Sequence, residues 1–598
     1  MDDPKGIRLK RISTTDIKNF FQTNLSSFSG ETPRQDSFSN SLIPDLTMHE
    51  GSSLLSPEEE ETRSLASECA FRQDDLPDEF HQTKSLWYMI LLTISIGGLQ
   101  FAWSVELSNG TPYLISLGLN KSMMALIWIA GPLSGALVQP YVGMLSDKFR
   151  SPWGKRTPFI ILGSVATIIS LLALAWVREI VAGFLGIFGI SPVSRQAKDG
   201  IIILAVFLVY LLDFSINTVQ AGIRAFILDC APSHLQEAAN SMASRIIGVG
   251  NILGYVAGYI DLKHYLSYFG DTQFKILCVN ASLALAVTVL LSLSTIREPS
   301  SCKETEIISD PVGITSFFRT IFTSFKHLPP LTYKVCRIQF FAWIGMFPQL
   351  FYSSSYISDI YVQPYLEINP QMTQPELDQL YEKGTRIGTF ALLIYAIVSL
   401  VTNLFLPFFV APSYDNTTRT FFIPGFTLRL AWMISHLIFS ACMFSTIFIR
   451  SISTATAIIG IVGIPWALSL WAPFAIISSE VSKLKKIRLN ENTISCDGYE
   501  RNDSTEQTED QAGVILGIHN IFITTGQIVA TIGSSIIFKF FQKPRGVPGD
   551  RSFCVVLAVG GFGTIIAAWL TSRMPDKTSL TNEENYVEDS GKNRSEVG

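Results

Sequence analysis

This 598-residue chain contains twelve apolar segments, each long enough to cross a bilayer, and they leave few folds open to it. A helix needs about 20 apolar residues to span the hydrocarbon core, and the core offers no water to hydrogen-bond an irregular backbone. The segments are 86–107, 122–145, 158–178, 201–224, 240–260, 274–296, 334–358, 385–410, 428–449, 455–479, 512–537 and 552–572. The sequence therefore predicts an all-α membrane protein of twelve transmembrane helices.

The composition excludes several classes of protein. The net charge is −5, which gives no overall attraction to nucleic acid. The eight cysteines are scattered without CxxC spacing, and the sequence shows no Cys, His and carboxylate cluster of the metal-binding kind. It also lacks a GxxxxGK[ST] nucleotide loop and a nucleophile elbow. We expect no metal, no cofactor, no enzyme activity and no ATP-driven pump.

The apolar segments form two groups of six, separated by a charged connector. Such a division indicates two six-helix halves with a binding site between them near mid-membrane, the layout of the major facilitator fold. The predicted parts are a disordered cytoplasmic tail at 1–84, a six-helix bundle at 85–296, a cytoplasmic connector at 297–333, a second six-helix bundle at 334–572 and a cytoplasmic tail at 573–598.

Lys and Arg residues set the predicted orientation, because cytoplasmic loops carry an excess of them. They concentrate in the loop after the second segment, in the connector and in the loop after the tenth segment. These three regions lie on one side, which we predict to be cytoplasmic, and an even number of helices puts both termini there as well. We expect a monomer in the plasma membrane rather than an internal membrane.

The fourth apolar segment carries two charges that a lipid-facing helix would not hold. Asp213 lies about midway along 202–229, and Arg224 follows eleven residues later. A charge near the bilayer centre costs roughly 2.5–3.5 kcal/mol on insertion scales. On a helix the two side chains share a face but stand about 16 Å apart, too far for an ion pair. We predict that Asp213 faces a polar cavity and holds a proton or a substrate hydroxyl; a buried acid satisfied by neighbouring Ser, Thr or Asn is the alternative.

Several blocks of sequence resemble the sucrose-proton symporters. In the first half they are GLQFAWSVELS at 98–108, TPY at 111–113, WIAGPLSG at 128–135, GKRTPF at 154–159, LLDFS at 211–215, NTVQ at 217–220 and GNILGY at 250–255. Looser blocks in the second half are GTRIG at 384–388 and GIPWA at 463–467. The resemblance implies the major facilitator fold and proton-driven import of sucrose or a related α-glucoside such as maltose.

These blocks and the charged positions supply the candidate site residues. Proton coupling is assigned to Asp213 and Glu106. Substrate-binding or pathway residues are predicted at Arg224, Trp103, Gln100, Asn217, Gln220 and Arg386. A cytoplasmic gate, in which the facilitator fold pairs charges between helix ends, is predicted at Asp147, Lys148, Gly154, Lys155 and Arg156.

Plainer interpretations stand beside these assignments. The loop charges could serve only the positive-inside pattern, Arg224 could snorkel to phosphate headgroups, and Arg386 could pair with a surface acid such as Glu382. For the whole chain, an uncoupled sugar facilitator or efflux carrier fits the same fold. So does a non-transporting sugar-sensing receptor, which the long N-terminal tail favours. The predicted partners are a small disaccharide and a proton, with the protein integral to the lipid bilayer.

Overall fold

The computed structural model of the chain describes residues 85–232, 235–298, 328–410, 425–494 and 506–575, together with 325 and 423. The helices before the connector are α1 (Leu86–Val105), a π-helical turn (Glu106–Gly110), α2 (Thr111–Ser116), α3 (Lys121–Ile127), α4 (Ala130–Lys148), α5 (Thr157–Ala175), α6 (Val177–Ile187), α7 (Arg195–Cys230), α8 (Gln236–Tyr259), α9 (Leu262–Tyr265) and α10 (Gln273–Thr295). Those after it are α11 (Pro330–Ile368), α12 (Gln374–Phe409), α13 (Leu428–Ser445), α14 (Ile452–Ile461), α15 (Gly463–Ile494), α16 (Glu506–Phe541) and α17 (Ser552–Ser572). The predicted tail 1–84, most of the connector and the chain beyond 575 lie outside the described residues.

Among the described residues, ten helices are long and apolar enough to cross a membrane. The fifth and seventh predicted segments are also helical, as α8 and α11, but they are not among these ten. Amide, hydroxyl and charged side chains interrupt the apolar runs of both helices. A helix that faces other helices tolerates such residues, so this composition agrees with an interior position for α8 and α11.

Short polar residues fix where several helices begin. A side-chain oxygen at the position before the first turn accepts a hydrogen bond from a free backbone N–H, which stabilises the helix start by about 1 kcal/mol. Caps of this kind occur at Ser85, Asn120, Ser194, Thr272 and Thr427. The helices therefore start at signals in the sequence that hydropathy alone does not show.

The structure extends several helices beyond the predicted segments. Segment 334–358 becomes α11, which ends only at Ile368, and segment 385–410 becomes α12, which begins at Gln374. A capping box between Thr373 and Glu376 starts α12 eleven residues before its apolar run. Helix α6 was not predicted. Apolar length sets the minimum needed to cross the bilayer, and polar turns continue a helix on either side of it.

Glycines bring α8 against two other helices. A Cβ atom at Gly250 would lie 2.5 Å from the carbonyl oxygen of Gly97 in α1, and one at Gly258 would lie 2.7 Å from Thr389 in α12. Any side chain larger than hydrogen would push these helices apart. This close approach places the polar residues of α8 directly beside α1 and α12.

Candidate functional site

Two acidic side chains meet inside the first half of the protein. Glu106 opens the π-helical turn after α1, and Asp213 lies midway along α7. Both are buried, Asp213 completely, and their carboxyl groups interact as electrostatic neighbours. No oxygen of either carboxyl group has a partner at hydrogen-bond geometry among the described residues. Because two buried carboxylates repel each other, this arrangement favours a pair that holds a proton.

The surroundings of Asp213 are closed in this conformation. A Cβ atom at Gly131 of α4 would lie 3.7 Å from Oδ1 of Asp213, so α4 packs directly over the acid. The cavity beside Glu106 has a volume of only about 10 Å³. The sequence predicts that Asp213 faces a polar cavity, whereas the structure buries it completely beneath α4, next to Gly131. In this conformation the acid pair can hold a proton but cannot contact a sugar.

One turn along α7, Asn217 organises a network with α4. Its amide nitrogen donates to Oγ of Ser134 at 2.8 Å, and Nε2 of Gln139 donates to its side-chain oxygen at 2.6 Å. Asn520 of α16 donates to the carbonyl oxygen of Gly135 at 3.3 Å. Residues 134–139 of α4 thus form hydrogen bonds both with α7 and with α16 of the second half.

A second network joins α1, α7 and α8. The indole nitrogen of Trp103 donates to Oε1 of Gln220 at 3.3 Å. Oδ1 of Asn251 accepts from Gln100 and from Ser104, both at 2.9 Å. The structure therefore brings three predicted site residues together around α1. The structure also places Asn251 in this network. Asn251 lies in the block at 250–255 that resembles the sucrose-proton symporters, but it was not among the predicted site residues.

The second half contributes an aromatic cluster that sequence reasoning largely missed. The rings of Trp343 in α11 and Trp466 in α15 stand 5.7 Å apart, and Tyr395 of α12 lies 6.3 Å from Trp466. The indole N–H of Trp343, the hydroxyl of Tyr395 and the side-chain oxygen of Gln339 are buried without hydrogen-bond partners among the described residues. Tyr255 of α8 neighbours Tyr395, so the cluster borders the first half. Aromatic faces with free polar groups nearby suit a sugar ring.

Ion pairs join the two halves on the side that the loop charges predict to be outer. Lys121 lies 2.8 Å from Asp359 and 3.2 Å from Asp550. Arg386 lies 2.7 Å from Asp261 and is half-buried. The structure thus gives Arg386 an ion pair with the first half, in place of the surface pair with Glu382 that we weighed as its alternative.

The described contacts indicate a conformation that is closed on the outer side. Hydrogen bonds between residues 85–298 and 328–575 occur at the outer ends of the helices and, through Asn520, near mid-membrane. On the opposite side, the described helix ends show no hydrogen bond between the halves. Arg224, in the inner third of α7, is exposed there.

The predicted cytoplasmic gate is a connected cluster of charges. Arg156 donates from Nε to Asp229 at 2.8 Å and also pairs with Asp147. Nζ of Lys155 lies 3.5 Å from Asp229. Burial alone would lower the pKa of Arg156, but Asp229 and Asp147 together raise it above its ordinary value. The cluster ties the ends of α4, α5 and α7, and Asp229 is a member that the sequence did not single out.

Glu298, directly after α10, completes this cluster through the backbone. Its carboxylate accepts from the amide nitrogens of Lys155 and Arg156, each at 2.9 Å. Gly154 has φ of +103°, and a Cβ there would collide with Glu298. Glycine is therefore required at 154 by both the backbone and the space available. The side chain of Lys148, the remaining predicted gate residue, lies outside the described part of the structure.

Comparison with known proteins identifies the family. Residues 111–215 match the family described as MFS/sugar transport protein. The chain is 33% identical to the general alpha-glucoside permease of Schizosaccharomyces pombe over 553 residues, which cover 81% of this chain and 93% of that protein. The chain belongs to the sucrose and α-glucoside transporter family. It is thus a multi-pass membrane protein and a sugar transporter of the major facilitator superfamily, as its sequence blocks predict.

Other proteins similar to this transporter are sucrose transport proteins. It is 26% identical to sucrose transport protein SUT2 of Oryza sativa subsp. indica, over 79% of this chain and 90% of that protein. It is 26% identical to sucrose transport protein SUC4 of Arabidopsis thaliana, over 79% and 87% respectively. The crystal structure of nucleoside transporter NupG superposes with a TM-score of 0.51 at 13% identity, covering 81% of this chain and 98% of that one. This likeness to NupG shows the fold alone.

Of the eight coupling and pathway residues predicted from the transporter's sequence, six lie on neighbouring faces of α1 and α7. Glu106 and Asp213 form the acid pair, Asn217 is one turn away, and Gln100 and Trp103 line the neighbouring face of α1. Arg224 and Arg386 lie toward opposite ends of their helices and are not part of this centre. The residues missed in the second half, Gln339 and Trp343, are spaced four apart in the seventh segment. That i,i+4 pairing of a polar and an aromatic residue was the available signal.

Proposed function

We propose that this transporter imports an α-glucosidic disaccharide, such as sucrose or maltose, together with a proton by alternating access. The observation that carries the proposal is the burial of Glu106 and Asp213 as electrostatic neighbours, two carboxyl groups with no hydrogen-bond partner among the described residues. A buried acid pair of this kind binds and releases one proton readily as its surroundings change. The sucrose and α-glucoside relatives support the choice of substrate class.

The proton acts by changing the packing of α1 against α7. With both carboxyl groups ionised, repulsion between Glu106 and Asp213 disfavours their contact. Protonation of one acid removes the repulsion and allows the closed packing beneath Gly131. A membrane potential of 100 mV supplies about 2.3 kcal/mol per charge, and one pH unit about 1.4 kcal/mol. Together they sustain a sugar gradient of roughly 500-fold for a one-to-one symporter.

The sugar binds between the halves in this proposal. Trp343, Trp466 and Tyr395 offer ring faces on the side of the second half, and the free N–H of Trp343 can donate to a sugar hydroxyl. On the side of the first half, Gln220 and Asn251 offer amide groups that already form hydrogen bonds within the protein. Each amide keeps a hydrogen bond when it exchanges an internal partner for a sugar hydroxyl.

Alternating access requires that the two six-helix bundles, 85–296 and 334–572, rock around this site. The outer ion pairs of Lys121 and Arg386 close one side and must break when it opens. The cluster around Arg156 lies on the other side, which we assign to the cytoplasm with both termini. We assign the transporter to the plasma membrane, where an inward proton gradient drives uptake.

Uptake of labelled sucrose and maltose into transport-deficient cells tests the proposal. We expect uptake to be faster at external pH 5 than at pH 7 and to fall when an uncoupler dissipates the gradient. Asp213→Asn should abolish this pH dependence. The matched control is Asp199→Asn, because Asp199 is an exposed acid near the start of the same helix. Sugar uptake indifferent to pH and uncoupler would establish an uncoupled carrier instead.

A further inference from the structure

A long apolar groove runs between α5 and α10 and opens beside the loop that joins α4 to α5. Its volume is about 1270 Å³. On α5 it is lined by Ile161, Val165 and Ile168, which repeat on one helix face, and on α10 by Val289 and Leu290. Val165 is 48% exposed and Leu290 is 72% exposed. In a membrane protein such a groove faces lipid, because water would not occupy it.

The depth of the groove equals one leaflet. Along α10 and the two residues after it the lining runs from Ala286 to Arg297, and on α5 it runs from Thr157 to Ile168. Each stretch advances eleven residues, or about 16 Å along its helix. Half of a hydrocarbon core of about 30 Å is about 15 Å. If the headgroup of a lipid lies at the rim, its acyl chain would therefore reach the bottom of the groove near mid-membrane.

Cations stand at the rim of the groove. Arg150, Lys155 and Arg297 all line it, and both arginines are exposed. The neighbouring acids are already engaged, since Asp229 pairs with Arg156 and Glu298 accepts from three backbone amides. The positive charges of Arg150 and Arg297 therefore remain available at the level of the lipid headgroups.

An exposed tryptophan lies at the same rim of the groove. Trp153 lies at the rim and is 68% exposed, and tryptophan is enriched where the bilayer meets water. The combination of an apolar groove one leaflet deep, an interfacial indole and two arginines without an ion pair in the described part of the chain is complementary to one kind of ligand. That ligand has a negative headgroup and an acyl chain.

We propose that the groove between α5 and α10 is a binding site for an anionic phospholipid of the leaflet that contacts the α4–α5 loop. Its headgroup lies against Arg150 and Arg297, and one acyl chain fills the groove past Val165. The bound lipid would neighbour the cluster of Arg156 and Asp229 and restrain the same loop. This site is separate from the acid pair and from the aromatic cluster.

Titration of the purified full-length transporter with phosphatidylserine and, separately, phosphatidylcholine tests the site. Native mass spectrometry counts the bound lipids, and the thermal unfolding temperature reports their effect. We expect one phosphatidylserine to bind well ahead of phosphatidylcholine and to raise the unfolding temperature. The double variant Arg150→Gln, Arg297→Gln should bind it about 10- to 30-fold more weakly.

Two further variants separate this site from general attraction to negative lipid. Val165→Trp fills the groove without changing the charge, and it should weaken phosphatidylserine binding about as much as the double variant does. Arg195→Gln removes an exposed arginine from the opposite end of the helix bundle and should change nothing. Equal binding of the two lipids, an equal loss in Arg195→Gln, or equal binding of glycerophosphoserine without acyl chains would each overturn the proposal.

Discussion

Lys121 and Asp359 form an ion pair of 2.8 Å although 238 positions separate them in the chain. Both side chains are largely buried, and Nζ of Lys121 also lies 3.9 Å from the centroid of the Phe553 ring. The pair joins α3 of the first half to α11 of the second. Asp550 shares the same lysine at 3.2 Å. One cation therefore holds two acids of the second half and closes the outer side.

Loss of this cation should favour the outward-open state. Lys121→Gln removes the cation that lies closest to both Asp359 and Asp550, and the repulsion between the two acids then disfavours outer closure. We expect a cysteine placed at Ser355, which lines the adjacent cavity, to react with an impermeant maleimide about tenfold faster in this variant. The described native cysteines are buried and should give little background. Lys539→Gln, at the same cavity, is the control, and an equal labelling rate in both would contradict the role of Lys121.

Acid should weaken the same closure through Asp550. Burial alone would raise the pKa of Asp550, but the charge of Lys121 and hydrogen bonds from Ser552 and Lys543 together hold it below the ordinary value of 3.8. A carboxylate with a lowered pKa stabilises the fold above its ordinary pKa, and this contribution disappears as pH falls through the lowered value. We expect the unfolding temperature of the solubilised transporter to fall below pH 4 by less in Asp550→Asn than in the wild type. If the unfolding temperatures of the two proteins fall in parallel as the pH is lowered, Asp550 does not contribute to the effect.

The acid pair should behave as a single titrating unit. Glu106→Gln and Asp213→Asn each remove the repulsion that the proton relieves, so either variant should lose the pH dependence of uptake. Because the two groups share one proton, the double variant should be no worse than the more impaired single variant. Initial uptake rates at pH 5 and pH 7 measure this. If the losses of uptake in the two single variants multiply in the double variant, the two acids act at separate steps.

Trp343 should contribute to sugar affinity through its N–H group as well as its ring. Trp343→Phe keeps an aromatic face but removes the buried donor, which costs about 1–1.5 kcal/mol or about a five- to tenfold rise in KM. The expression level should not change. Trp87→Phe alters an indole that is 72% exposed at the start of α1 and serves as the control. A KM that stays constant in Trp343→Phe while kcat falls would argue against contact with the sugar.

Gly154 should tolerate no side chain. Alanine there must adopt φ near +103° and displace Glu298 from the backbone amides that it accepts from. We expect Gly154→Ala to destabilise the transporter by about 1–3 kcal/mol, seen as a lower unfolding temperature. Gly143→Ala is the matched control, since a Cβ at 143 meets nothing within 4 Å. Equal unfolding temperatures for the two variants would show that the contact with Glu298 carries no stability.

The class of this protein follows from its amino-acid sequence without reference to the structure. Apolar segments of bilayer length leave the chain no fold other than a helical membrane bundle, and an acid in mid-segment must face the interior. Asp213 is buried as that argument requires. The composition of the loop 147–156 likewise indicated charge pairing at helix ends, which Arg156 forms with Asp147. These features depend on residues near one another in the chain.

The tertiary structure alone decided which residues meet. Helical periodicity gives the face on which a side chain lies, but it does not give the helix that packs against this face. The partners of Asp213, Gln100 and Lys121 lie 107, 151 and 238 positions away in the chain. Glu106, which neighbours Asp213, lies in a π-helical turn, and α4 covers the acid at Gly131. The sequence predicts a polar cavity at Asp213, and the packing of the helices instead buries this acid beside Glu106.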